Sequence, residues 1–204
     1  MAVTNSGTWE SLARLVIARS REEGQYRYVF YLYMGPAYLP MEVVDLDGDG
    51  LSELISTDFV GGYDGASTVP VLWPTILRVR DDKIVDVSSS FPEYYRQRVL
   101  GSLELWKSMP TDGAGTAFSA WRERVVPRLQ YVEFRAKRIL GEKAAGLDEA
   151  MSWSRSEDSG FQRMALDLLK DYPSRPGAKE ALERLAESKN GFISMMARKA
   201  LENQ

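Results

Sequence analysis

Four acids crowd one short stretch of the chain, Asp45-Leu46-Asp47-Gly48-Asp49-Gly50-Leu51-Ser52-Glu53-Leu54. Aspartates at alternate positions can all face the concave side of a tight turn, and glycine at position 50 permits the positive φ that such a reversal needs. Carboxylates packed this closely repel one another unless a cation sits among them. A hard divalent ion such as Ca²⁺ takes about six to eight oxygens at roughly 2.3 to 2.6 Å. The turn offers Asp45, Asp47, Asp49, the main-chain carbonyl of Leu51 and Glu53 as metal ligands, with water completing the shell. The plainer alternative is a solvated turn, Asp and Gly being common turn residues. An EF-hand is excluded, because its twelfth place, which needs a bidentate Glu, holds Ser56 here.

The elements that have to hold this turn are strands. Met41 to Val44 enters it and Leu51 to Thr57 leaves it. Tyr26 to Met34, aromatic and β-branched, predicts another strand, ended by Gly35-Pro36. Upstream, Thr8 reads as an N-cap for an amphipathic helix bearing Trp9, Leu12 and Val16 on one face and closing near Gly24. Downstream come a Gly-rich connection, Gly61 to Ser67, and a strand over Val69 to Arg80 interrupted by Pro74. The polar turn Asp81-Asp82-Lys83 then leads into Ile84 to Val87, which makes a hairpin.

The decapeptide resembles the calcium loops of the FG-GAP repeat family, the integrin-type and VCBS-like β-propeller modules, whose motif reads Asp-x-Asp-Gly-Asp-Gly-x-x-Asp/Glu-Leu. Glu53 stands where Asp is more usual. The likeness extends through the hairpin at Trp73 to Ser88, covering about residues 41 to 95. One such loop cannot make a propeller of four to eight blades, so the resemblance implies a single blade-like unit capped by helices. It also implies Ca²⁺ as the bound ion and an extracytoplasmic setting, periplasmic or secreted, where free calcium is millimolar.

From Pro92 the apolar period changes from two to 3.6. Helices are predicted over 92–107, 116–143, 147–155, 161–172, 176–188 and 192–203, with Pro127 expected to kink or divide the second. The last three, with Ala and Leu on their contact faces, resemble a degenerate HEAT-type hairpin. The fold class is α+β: a small antiparallel β unit with the acidic loop in residues 1–91, then a helical domain in 92–204.

Composition narrows the chemistry. The 204 residues include no His and no Cys, which excludes imidazole and thiolate catalysis, thiolate zinc and disulfides. With 44% apolar and 11% aromatic residues there is enough material for a core. Net charge is −3, but residues 1–95 carry 7 Lys and Arg against 14 Asp and Glu, while residues 96–204 carry 19 against 15. The acidic half suits a cation, and the dispersed basic excess does not suit nucleic acid. No apolar run is long enough to span a membrane, and Met1 to Thr8 shows no secretory signal, so a cytoplasmic location also stays open.

Three functions are therefore in contention. The first is a non-enzymatic, calcium-stabilised binding or scaffold module that engages a protein partner in the bacterial envelope or secretome. The second is a helical adaptor within a larger assembly that works through residues 96–204. The third is a carboxylate-pair hydrolase drawing on Asp58, Asp64 and Asp86. The tyrosines of the aromatic strand are as well explained by a half-buried sheet as by a sugar platform, and Trp106, Trp121 and Trp153 as core anchors.

Overall fold

The computed structural model describes residues 2–4, 12–22, 25–36, 41–60, 71–80, 83–107 and 116–202. The Gly61 to Ser67 connection, the Asp81-Asp82 pair and the residues at Thr8 and Trp9 lie outside them, as do the side chains of the Tyr26 to Met34 segment and of Trp106 and Trp121. The architecture is α+β: strands fill the first part of the chain, and from Pro92 onward it is helical.

The chain divides into two compact units, Met1–Asp58 with Pro74–Phe91, and Phe59–Trp73 with Pro92–Gln204. The strands form two antiparallel sheets, the first of them wholly within the first unit. In one, β1 (Ala2–Thr4), β2 (Leu12–Glu22) and β3 (Gln25–Pro36) lie in sequence order. Here the structure corrects the expected helix over residues 8–24: Leu12–Glu22 is a strand, with Val16 opposite Tyr31 and Glu22 opposite Gln25. Val16 and Ile17 are β-branched, and a long aromatic partner strand follows after two residues, the separation of a tight hairpin. Gly24, taken as a helix stop, serves a hairpin equally well, and pairing outweighs a weak helical preference.

The second sheet has the order β4 (Met41–Val44), β5 (Glu53–Phe59), β6 (Leu72–Arg80), β7 (Lys83–Asp86). Val44 pairs with Glu53, so residues 45–52 form the connection between two paired strands. β6 runs on through Pro74, which lies beyond the β7 register ending at Leu77 opposite Asp86, so the β6–β7 ladder does not need the N–H that proline lacks. Leu54, Ile55 and Ile76 are buried, and the Ile76 N–H donates to the buried Ser88 hydroxyl at 3.1 Å.

In the second unit, α1 (Pro92–Tyr94) passes through a π-helical stretch, Tyr95–Leu100, into α2 (Gly101–Lys107). Then follow α3 (Thr116–Ile139), α4 (Leu147–Trp153), α5 (Ser159–Leu169), α6 (Pro176–Ala186) and α7 (Gly191–Glu202). α3 is not divided at Pro127. α4 packs on α5, α6 on α7, and α5 also touches both α6 and α7. Ala165, Ala178, Ala181 and Ala197 are fully buried beside Leu168, Leu169, Leu182 and Leu185, small residues letting the helices approach while leucines fill the spaces between. Trp73 stacks on Tyr95 at 5.2 Å, and Trp153 lies 6.3 Å from both Phe134 and Phe161.

Candidate metal site

The loop between β4 and β5 is built by its own aspartates. Asp45 accepts from the N–H of Gly48 at 2.7 Å through Oδ1 and from that of Gly50 at 2.9 Å through Oδ2, closing the turn across its mouth. Asp47 Oδ1 accepts from Asp49 N–H at 3.3 Å, and Asp49 Oδ1 from Leu51 N–H at 2.8 Å, each two residues on. Gly48 and Gly50 take φ of 74° and 83°, the left-handed region expected at position 50.

The result brings one oxygen each from Asp45, Asp47 and Asp49 within 4.8 Å of one another. Two oxygens bound to one Ca²⁺ at roughly 2.3 to 2.6 Å lie at most about 5 Å apart, so this spacing fits a single hard ion and these three carboxylates can hold a metal. The donor set is all oxygen, as such an ion prefers, and the three residues are exposed.

Glu53 is placed differently from the expectation. It is fully buried at the start of β5, where Oε2 accepts from Leu46 N–H at 2.9 Å and Oε1 from Arg78 Nε at 2.5 Å, with Arg78 Nη2 also paired to Oε1. The structure thus brings three of the expected carboxylates together and gives the fourth to an arginine. Leu51 lies within the loop and is 58% exposed.

Arg78, on β6, is the residue that sequence reasoning missed. Its guanidinium also reaches Asp47 Oδ2 at 2.9 Å and Asp49 Oδ2 at 3.1 Å, and stands 5.6 Å from the centre of the Phe91 ring. Its side chain is 10% exposed, against 43% for Asp47 and 40% for Asp49. Hydrogen bonding from Arg78 holds the Asp47 carboxyl below the usual carboxylate range, and the bond to Glu53 raises Arg78 above its own ordinary value. Val43, Leu54, Leu77, Val79 and Ile84 line an open groove of about 200 Å³ beside Glu53 and Arg78. The strand that carries Arg78 and its hairpin with Ile84 to Val87 were visible in the sequence. The pairing that lays β6 against β5, and so Arg78 beside Glu53, was not.

The acids expected for a carboxylate pair stand as follows. Asp86 Oδ1 accepts from Ser88 N–H at 2.9 Å at the end of the hairpin, Asp58 is exposed near the end of β5, and Asp64 lies outside the described residues. A second polar cluster sits in the helical unit. The hydroxyl of the buried Tyr131 donates to Asp167 Oδ2 at 2.6 Å, Arg135 Nε is 3.5 Å from the same oxygen, and Lys170 Nζ is 2.6 Å from Oδ1. Arg135 also lies over the Trp73 ring at 4.3 Å. Burial, and then the charge of Asp167, push the Tyr131 hydroxyl up. Burial raises the Asp167 carboxyl, but Arg135, Lys170 and the Tyr131 hydrogen bond outweigh it and leave the group below its ordinary value. Every member has a partner, which makes this a tie between α3 and α5.

Compared with protein-family models, curated proteins and solved structures, the chain matches none. Among the described residues no helix is long and apolar enough to cross a membrane.

Proposed function

We propose that residues 45–53 form a calcium loop and that the chain is a non-enzymatic, calcium-stabilised binding or scaffold module of the cell envelope or secretome. The observation that carries this reading is the convergence of Asp45, Asp47 and Asp49 oxygens within 4.8 Å at the end of a paired hairpin. The FG-GAP-like spacing supports the choice of calcium. The ion's part is structural, neutralising charge where the loop joins β4 to β5. A protein partner is assigned to the helical unit, where Phe192 and Met195, one turn apart on α7, are 49% and 57% exposed.

Calorimetric titration of the chain with CaCl₂ tests the reading. Binding heat is expected in the parent and none in Asp47→Ala. At an affinity of about 0.1 mM, typical of extracellular modules, millimolar calcium adds roughly 1.4 kcal/mol of stability. A melting temperature unmoved by either calcium or EGTA removes the central support.

A further inference from the structure

We propose that Arg78 is a tethered cation built into the acidic loop: a divalent ion entering among Asp45, Asp47 and Asp49 must displace the guanidinium from Asp47 and Asp49, while Glu53 retains it. The inference rests on the calcium reading above and names what sets the affinity of that site.

The two ends of the guanidinium are held unequally. One end is anchored, since Glu53 is fully buried, pairs with both Nε and Nη2, and is itself fixed by Leu46 N–H. The other end lies on the exposed carboxylates, with Nη2 2.9 Å from Asp47 Oδ2 and Nη1 3.1 Å from Asp49 Oδ2. Asp47 and Asp49 are also two of the three residues whose oxygens converge as a metal cluster, so arginine and ion draw on the same pair of side chains. The third, Asp45, is engaged by Gly48 and Gly50 N–H groups and makes no described contact with Arg78. One guanidinium against four carboxylates leaves the cluster net negative, so the loop is held together without being neutralised. A dication brings twice the charge to the exposed rim, and the arginine is left paired with Glu53. Such an arrangement keeps the loop preformed and its affinity low.

The experiment is calorimetric titration of the full chain with CaCl₂ in the parent, Arg78→Gln and Arg78→Lys, with folding checked by circular dichroism. Removing the competing charge is expected to tighten binding about tenfold or more in Arg78→Gln. The lysine variant should be intermediate, because an ammonium keeps Glu53 paired but cannot span both aspartates. If Arg78→Gln does not fold, Arg78→Lys decides alone. Binding equal to or weaker than the parent's in the folded variants overturns the proposal and leaves the calcium reading standing. A silent parent with binding variants upholds the competition and removes calcium from the parent. No heat in any of the three overturns both.

Discussion

At the scale of single residues, the molecule's ion pairs differ mainly in how far they are from water. Glu53 is fully buried with Arg78, so Glu53→Ala leaves a largely buried guanidinium short of its main partner; a loss of about 3–5 kcal/mol is expected by urea unfolding. A surface pair would give less than about 1 kcal/mol, and a loss that small would place the pair in solvent. Asp167 supplies a pH test. Its folded carboxyl lies below its ordinary value, about 3.9 in the unfolded chain, so its stabilising contribution is complete above that pH and fades as pH falls through the folded value. Asp167→Asn is therefore expected to be about 1.5–3 kcal/mol less stable than the parent near neutrality, with the gap narrowing below about pH 4. A gap that stays constant to pH 2 contradicts the assignment.

At the scale of elements, turns and caps carry separable contributions. Gly50 has φ of 83° and a Cβ added there would meet nothing within 4 Å, so Gly50→Ala should lose only the backbone preference, about 1–2 kcal/mol. Gly146, before α4, has φ of 75° and a Cβ there would fall 2.5 Å from Phe134 Cγ, so Gly146→Ala adds a collision to the same strain and is expected to lose about 2–4 kcal/mol. Thermal melts of the two variants side by side check the ordering, and a milder effect at position 146 than at 50 would refute it. The helices of the second unit were readable as elements because their signals are local, although the expected 116–143 closes at Ile139 and the expected 161–172 runs from Ser159 to Leu169. Pro176, for example, opens α6 as expected, whereas α5 starts two residues before the expected Phe161 because Asp158 caps it by accepting from Gly160 and Phe161 N–H. β2 was not readable in this way. Leu12, Val16 and Gly24 satisfy a helix pattern and a hairpin pattern alike, and the choice came from a partner strand.

At the scale of the whole molecule, the loop and the helical core belong to different compact units. Leu182 is fully buried among the helices, and Leu182→Ala is expected to remove about 2–5 kcal/mol from unfolding of that unit. The described partners of Asp45, Asp47, Asp49 and Glu53 lie in the loop's own unit, so the calcium affinity proposed for the loop is expected to be unchanged in the folded variant. Calorimetry of Leu182→Ala checks this, and a tenfold change in affinity would show that the two units are coupled.

The aspartate spacing, the glycine at position 50 and the helical periods beyond Pro92 are relations among residues a few positions apart, and a chain carries such relations whatever its neighbours do. The strand at Leu12–Glu22 and the seat of Arg78 among Asp47, Asp49 and Glu53 are relations between segments. Arg78 stands 25 positions after Glu53 and meets it through the sheet that lays β6 against β5. Side-chain charge and spacing can be read along the chain, but strand pairing depends on which distant backbone completes the hydrogen-bond ladder, and that partner exists only once the chain has folded.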